Sequence, residues 1–502
     1  RLAITQANAA PGPDTIDFDV PGAPEILLTS ALPPLTSPVT IDGTSQADVV
    51  VRTVAPAPSF PGLSIVTPDV TVAGLALGGF SAAIATRAPW TSIVGNDLGV
   101  RPDGVTPIPN DVGLALDSGA GAVVTGNVVS ANLGAGIRFS GGGTAVITGN
   151  RIGSTADGLS DLGNGAVGIG LATVSGPVVI GGTGVGDRNV ISGNAGPGIA
   201  ATGVGGLTVL GNHIGTGLDG VTPLGNDGDG VRLSSLTGAL VGGDSDAEGN
   251  TIAFNGGAGV AVDDLSGASV HNSIRHNRIH DNVGLGIDLA ADGPTPNDPG
   301  DGDTGPNALQ NFPVIESAAT IGGVTLVEGF LSSTDDTTIQ IDLYANSQCD
   351  ASGVGEGELW VSEAATLVQT FFAGPPSTDD GTFVAGFVSP FPPPFFVTAT
   401  ATAPESAADL HGSTSEFSAC VQPEVEISHR TLDFGSHVVA TSDTQFVTIT
   451  NTGPDELSGI SVTVLGIDAA DFVVPPGTCA SVTLAPFESC FVPVAFSPSA
   501  PG

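Results

Sequence analysis

The side chains best suited to proton transfer and anion stabilisation are concentrated between residues 271 and 281. This segment holds three of the seven His and two of the 11 Arg of the chain: His271, Arg275, His276, Arg278 and His280, followed by Asp281. An imidazole can act as a general base and a guanidinium as its oxyanion partner, so Arg275, His276 and Asp281 are candidate catalytic residues. The inward spacing of Ile274 and Ile279 favours a simpler interpretation, in which the charged residues decorate the outer face of the last repeats.

A second group of chemically competent residues lies in the loop from residue 292 to 307. It combines four carboxylates and an amide with no cationic residue nearby: Asp292, Asn297, Asp298, Asp301 and Asp303. Calcium in proteins takes about six to eight oxygen ligands from such groups, and the prolines of the loop pre-order its backbone. The spacing is not that of an EF-hand, and a solvated Asp-Gly turn is the alternative. We predict calcium as the cofactor.

The charge balance excludes several classes of partner. Lys is absent, so 11 Arg oppose 51 acidic residues, and the net charge is −40. Such a field repels nucleic-acid phosphates and anionic lipid surfaces. It also repels polyanionic sugars unless a bound cation bridges them. We therefore expect no nucleic-acid partner, and no segment of the sequence predicts a membrane span.

The four cysteines indicate an oxidising compartment. All lie after residue 348, with Cys349 and Cys420 as one predicted pair and Cys479 and Cys490 as the other. Neither spacing is that of a zinc site, so two structural disulfides are expected. We predict an extracellular or cell-surface location. The chain starts at Arg1 and contains no Met, and we expect it to be a mature or trimmed product whose anchor lies outside this sequence.

The elements that position these candidates come from two interleaved repeats. In the first, Gly-Asn is followed by an Asp seven residues after the Asn and a second Asn after 14 residues, beginning at Asn96, Asn150 and Asn212. In the second, two Asn lie five residues apart before a Gly-x-Gly sequence, beginning at Asn127, Asn189, Asn250 and Asn277. Such spacing predicts a solenoid of short strands and tight turns.

Stacking of the coils accounts for most of the repeated residues. Successive coils lie about 4.8 Å apart, so identical residues form columns, and stacked Asn amides can hydrogen-bond along a column. We assign a structural ladder to Asn127, Asn150, Asn189, Asn212, Asn250 and Asn277. The repeated Asp103, Asp157 and Asp219 are interpreted as solvated turn residues.

These repeats resemble the right-handed parallel β-helices of the pectate lyase-like superfamily, in its Asn- and Gly-rich bacterial surface branch. Residues 2–18 resemble the N-terminal segment of CSLREA-type proteins, although the leading Cys-Ser-Leu-Arg-Glu stretch of that family is missing. The resemblance covers residues 1–315 and implies a short capping helix over residues 2–9. Enzymes of the superfamily use Arg or Lys beside calcium-binding carboxylates, or clustered Asp. This chain has no Lys, and Asp263-Asp264 lacks the companion motifs of a polygalacturonase.

The C-terminal part is predicted to form two β-sandwich domains, which completes an all-β chain. In residues 316–422, apolar and polar residues alternate as in the strands of a small β-sandwich, and a disulfide between Cys349 and Cys420 is expected to link them. Residues 424–502 resemble the immunoglobulin-like choice-of-anchor D domains through Leu432-Asp433-Phe434-Gly435 and the segment 490–498. That family continues into further strands, so we expect an incomplete domain. Its open sheet edge could be completed by another segment, which would allow self-association.

Three functions from different classes remain open. The first is a secreted or surface-displayed structural or adhesive protein, a stiff β-helix rod stabilised by calcium that contacts glycans or another surface protein. The second is a polysaccharide lyase or glycoside hydrolase acting on a groove of the β-helix. The third is a subunit of an extracellular filament assembled by strand complementation. Only two Trp and one Tyr are present, which disfavours processive sugar degradation.

Overall fold

A computed structural model describes residues 1–22, 24–53, 59–117, 121–264, 269–334, 337–367, 380–406, 409–466, 468–479 and 482–500. The chain forms two compact units. The first comprises residues 1–311 and 401–416, and the second comprises residues 312–400 and 417–502. Strands dominate both units, as predicted. The predicted boundaries at 315/316 and 422/424 stay predictions.

The first unit is a parallel β-helix built from three sheets, here called A, B and C. Within the described residues, sheet A has ten strands: Asp14–Asp17, Val39–Asp42, Val70–Ala73, Thr91–Val94, Ala122–Thr125, Ala145–Thr148, Val178–Gly181, Leu207–Leu210, Leu240–Gly242 and Ser273–Arg275. Sheet B in the same ranges also has ten: Glu25–Leu28, Val50–Thr53, Ala76–Gly78, Asp97–Leu98, Val128–Val129, Arg151–Ile152, Val190–Ile191, His213–Ile214, Thr251–Ala253 and Arg278–His280.

Sheet C completes each coil. Its nine described strands are Leu63–Ile65, Ile84–Thr86, Leu114–Asp117, Ile137–Ser140, Ile169–Ala172, Ile199–Thr202, Val231–Ser234, Val260–Asp263 and Ile287–Leu289. Apolar residues of successive coils lie in register and fill the narrow interior. The inward column of sheet A passes through Ile93, Val124, Ile147, Ile180 and Val209, each fully buried. Burial of one such side chain contributes about 1.5–3 kcal/mol.

The corners on both sides of sheet B are occupied by columns of buried Asn. In the first column, each Nδ2 donates to the Oδ1 of the Asn in the next coil at 2.9–3.1 Å. This column contains Asn96 and the six residues assigned to the ladder from the sequence. A second column repeats the arrangement at 2.8–3.0 Å through Asn110, Asn132, Asn164, Asn194, Asn226, Asn255 and Asn282. The two sequence repeats therefore merge into two continuous ladders.

The 14-residue spacing of the first repeat arises from a hairpin inserted in three alternate coils, those of Asn96, Asn150 and Asn212. The hairpins span residues 99–110, 153–164 and 215–226, and each contains one antiparallel bridge. Asp219 accepts hydrogen bonds from Thr222 Oγ1, Thr222 N and Val221 N, and these bonds lower the pKa of its carboxyl to about 2. Neighbouring hairpins are joined by backbone hydrogen bonds from Ala156 N to Gly104 O and from Leu218 N to Gly158 O.

Both ends of the β-helix are covered by other segments of the same unit. The N-terminal helix Leu2–Ala7 buries Ile4 and Ala7, two residues shorter than its predicted span of 2–9. At the other end, strand Asp409–Thr414 pairs with the second part of strand Phe396–Ser406 and lies against the last coil. Thr414 Oγ1 accepts from Ile274 N at 2.9 Å. These segments shield the open strand edges from strand addition. The unit also contains the 3₁₀ turns Gly43–Ser45 and Pro306–Leu309.

The second unit contains a mixed sheet shared by both predicted sandwich regions. Its order in the described residues is Asp380–Phe387, Val324–Ser332, Val314–Ile321, Val425–Ile427, Asp443–Asn451, Ser489–Phe496 and Phe472–Val473, and the last strand follows the 3₁₀ turn Ala469–Asp471. A separate sheet contains, in this order, strands Leu359–Leu367, Thr338–Asn346 and Phe396–Ser406. Both predicted disulfides, Cys349–Cys420 and Cys479–Cys490, are confirmed.

We predict that Asn212→Ala destabilises the β-helix by about 2–3 kcal/mol. The substitution removes the hydrogen bonds that the Asn212 amide makes with Asn189 Nδ2, Ile180 O and Asn250 Oδ1 in a fully buried corner, and each such bond contributes about 0.5–1.5 kcal/mol net. Urea unfolding followed by circular dichroism measures the change. Val221→Ala is the control, because this exposed side chain lies in the hairpin of the same coil. Equal stability of the two variants would contradict the role of the ladder.

Candidate functional site

The candidate catalytic residues occupy different environments at the C-terminal end of the β-helix. Arg275 ends a strand of sheet A, is 3% exposed, and pairs through Nη1 with Asp244 Oδ1 at 2.5 Å. His276 follows at a positive φ of 55° and is also buried. Asp281 lies after a strand of sheet B, is exposed, and pairs with His280 Nδ1 at 2.8 Å. Arg275 and Asp281 are thus directed to different partners. Their catalytic assignment stays a prediction.

The acidic loop brings three of its five predicted calcium ligands together. Carboxylate oxygens of Asp298, Asp301 and Asp303 lie within 4.8 Å of one another, and all three residues are half-buried. Asn297 is half-buried in the same loop, whereas Asp292 is exposed and is not part of this group. The structure therefore provides a compact set of three carboxylates.

Asn311 holds this carboxylate group in place. Its Nδ2 donates to Asp298 O at 2.7 Å, and its Oδ1 accepts from Asp298 N at 3.0 Å. Its backbone N donates to Asp301 Oδ1 at 2.9 Å. Within the described residues Asp303 Oδ1 is buried without a hydrogen-bond partner. Burial and the neighbouring Asp298 raise the pKa of Asp303, as expected where carboxylates converge without a cation.

Glu416 is a site residue that sequence reasoning missed. It is 1% exposed, and its carboxylate accepts hydrogen bonds from Leu289 N at 3.0 Å and from Thr295 N at 2.9 Å. It thereby connects the last strand of sheet C to the start of the acidic loop. Burial raises the pKa of Glu416 to about 7, and Asp288 contributes in the same direction. No local sequence motif predicts this contact, because more than 120 residues separate Glu416 from either partner.

A concave region on the outer face of sheet C was also missed. It has a volume of about 400 Å³ and is bordered by Arg87, Asp117 and Arg138. These residues come from three successive coils, where Ala115 pairs with Arg138 and Asp117 with Ser140. These residues could have been found by aligning successive coils on the Asn repeats, because that alignment shows which outward residues lie side by side.

Comparison with known proteins supports the fold. A family model described as "Right handed beta helix region" matches residues 110–297, so the parallel β-helix is right-handed, as predicted. None of the curated proteins matches the chain. Among the described residues, no helix is long and apolar enough to cross a membrane. The resemblances to CSLREA-type and choice-of-anchor D proteins stay predictions.

Two similar solved structures are tailspike proteins. The enzymatically active domain of tailspike protein 2 from bacteriophage CBA120 is 11% identical, with 83% of this chain and 73% of that chain covered and a TM-score of 0.24. Full-length tailspike protein 2 from Escherichia coli O157:H7 bacteriophage CAB120 is 10% identical, with 86% and 69% covered and a TM-score of 0.25. Similarity at this level supports no inference about activity.

We predict that the stability of the β-helix falls as the pH rises from about 4.5 to about 7. Glu416 has an ordinary pKa of 4.5 and a folded-state pKa of about 7, so in this window the folded state keeps a proton that the unfolded chain has lost. The loss amounts to at most about 3 kcal/mol. Thermal unfolding at a series of pH values measures it. Glu416→Gln should reduce the slope and raise the melting temperature at pH 8, and an unchanged slope would contradict the prediction. Asp288, whose pKa is also raised by burial, accounts for part of the remaining slope.

Proposed function

We propose that the chain is a secreted or surface-displayed structural and adhesive protein, in which the right-handed β-helix acts as a stiff rod. The proposal rests on one observation, which is that the repeated Asn side chains bond neighbouring coils to each other. The Asn amides of both ladders are buried and bonded to neighbouring coils, so the most regular chemistry of the chain is used for stacking. The repeat therefore serves mechanical continuity.

An extracellular location is compatible with the covalent structure. Both cysteine pairs are oxidised, and no free cysteine is present in the chain. Disulfides persist in secreted and surface proteins and are rare in reducing compartments. The net charge of −40 also favours solubility and disfavours nonspecific attachment to anionic cell surfaces. Adhesion by such a chain must therefore rely on local recognition.

Calcium binding by the acidic loop is part of the proposal. Asp298, Asp301 and Asp303 supply hard oxygen ligands within a small volume, and Asn311 orders the backbone around them. A divalent cation would relieve the mutual repulsion of these carboxylates and satisfy the buried Asp303 Oδ1. Because Glu416 binds Thr295 of the same loop, ordering of the loop stabilises the C-terminal end of the rod.

We predict that chelation of calcium lowers the melting temperature by several degrees. A ligand that binds only the folded state stabilises it in proportion to the logarithm of its concentration relative to Kd. Differential scanning calorimetry in calcium and in chelator measures the shift. Asp301→Asn with Asp303→Asn should abolish the shift, whereas Asp292→Asn should preserve it. An unchanged melting curve after chelation would remove the calcium component.

A glycan array tests adhesion against catalysis. The labelled full-length chain is expected to be retained on a subset of glycans without the release of reducing ends or unsaturated sugars. Retention accompanied by product would instead support the lyase or hydrolase. The Arg275→Ala, His276→Ala and Asp281→Ala variants then identify the residues responsible. Absence of both retention and product on glycans and on isolated cell envelopes would contradict an adhesive role.

A further inference from the structure

The concave region on the outer face of sheet C has the form of a ligand-binding site. Its volume of about 400 Å³ lies within the range of small-molecule sites. Small side chains form one outward column through consecutive strands, in which Ser64 pairs with Ala85 and Ala85 with Ala115. The small side chains of Ser64, Ala85 and Ala115 leave the space in which a ligand can lie.

Two arginines border this region and, among the described residues, share the single carboxylate of Asp117. Arg138 follows Ala115 in the same outward column. Arg138 Nη2 lies 3.6 Å from Asp117 Oδ1, and Arg87 Nε lies 3.9 Å from Asp117 Oδ2. Charge-assisted hydrogen bonds are about 2.7–2.9 Å long, so Asp117 attracts both guanidinium groups without occupying their donors. The Arg87 and Arg138 side chains are 76% and 52% exposed.

Arg232 on the same face has the opposite arrangement of charges. Arg232 donates from Nε to Asp263 Oδ2 at 2.8 Å and from Nη1 to Asp229 Oδ2 at 3.2 Å. Two carboxylates therefore surround one guanidinium there. At the concave region the ratio is reversed, with two guanidinium groups beside one carboxylate. The region has a local charge of about +1 on a chain of net charge −40.

We propose that this region binds the carboxylate of a single acidic sugar, such as a uronic or sialic acid, within an otherwise neutral glycan. The inference rests on the proposed adhesive function and names its ligand. Guanidinium groups match the planar geometry of a carboxylate, and the small-residue column accommodates the sugar ring. The net charge of the chain disfavours polyuronates, because every further carboxylate is repelled.

Isothermal titration calorimetry with defined probes tests this ligand class. The probes are glucuronate, N-acetylneuraminate, the uncharged methyl ester of glucuronic acid, inorganic phosphate and polygalacturonate. The full-length chain should bind at least one of the two acidic monosaccharides, and both the methyl ester and polygalacturonate more weakly. Arg87→Gln with Arg138→Gln should weaken binding at least about tenfold, since the charge-assisted hydrogen bonds to the ligand carboxylate are lost.

A matched control separates local recognition from a general change of charge. Arg101→Gln removes an arginine that likewise lies 3.7 Å from a carboxylate, that of Glu25, but outside the region, and it should leave Kd unchanged. Arg138→Lys, which keeps the charge and loses the planar fork, should give an intermediate Kd. Because Arg87 and Arg138 are exposed, the variants should keep the wild-type melting temperature. If the double variant does not fold, the single Arg87→Gln and Arg138→Gln variants provide the same comparison.

Several outcomes would overturn the proposal. These are equal binding of the methyl ester, preference for phosphate or polygalacturonate, unchanged affinity in the arginine variants, or absence of binding at millimolar monosaccharide. The glycan array then distinguishes the two levels of inference. Retention on glycans that survives loss of both arginines would leave the adhesive function intact and reject this site alone. Loss of all retention by the wild-type chain would reject both.

Discussion

The hydrogen bonding of a buried amide is the constraint on which the structure depends. The coils of the Asn ladders turn sharply on both sides of sheet B. At these corners, backbone N–H and C=O groups are hydrogen-bonded by Asn side chains of the adjacent coils. An Asn side chain can accept and donate at the same time, so it satisfies the backbone of the preceding coil and reaches the next Asn. Asn150, for example, accepts from Asn127 N and donates to Val124 O and Asn189 Oδ1. Neither an acidic nor an aliphatic side chain of similar size could do both.

Glycine supplies the second requirement of these corners. Gly153 adopts a φ of +89°, and a Cβ at this position would lie 2.2 Å from Ser192 O of the next coil. No other residue type fits that approach. The recurrence of Asn and Gly at fixed offsets is therefore a direct consequence of coil stacking. The acidic loop and the concave region on sheet C lie outside these columns, where the sequence can vary without interrupting the stack.

Residues in the stacked columns could be predicted from the sequence, whereas Glu416 and the residues of the concave region outside the columns could not. Asn and Gly columns report contacts between adjacent coils, so the sequence was sufficient to predict the β-helix and the ladder. It did not reveal that Asn110 and Asn132 belong to one column, because a hairpin changes their local spacing. Glu416 is distant in sequence from the loop that it binds, and its role depends on the return of residues 401–416 to the end of the rod. Arg87, Asp117 and Arg138 belong to no repeated motif, and only strand register brings them together.

Between Asn96 and Asn226, coils with a hairpin alternate with coils without one, which gives this part of the rod a unit of two coils. Hydrogen bonds from Ala156 N to Gly104 O and from Leu218 N to Gly158 O connect neighbouring hairpins. The coils from which these hairpins emerge are two steps, about 10 Å, apart. Insertion of one coil would place a gap or a clash in this row, even if both Asn ladders remained continuous. Growth of the rod by duplication is therefore expected to proceed in pairs of coils. A designer who wishes to lengthen or shorten it should transplant the same paired unit.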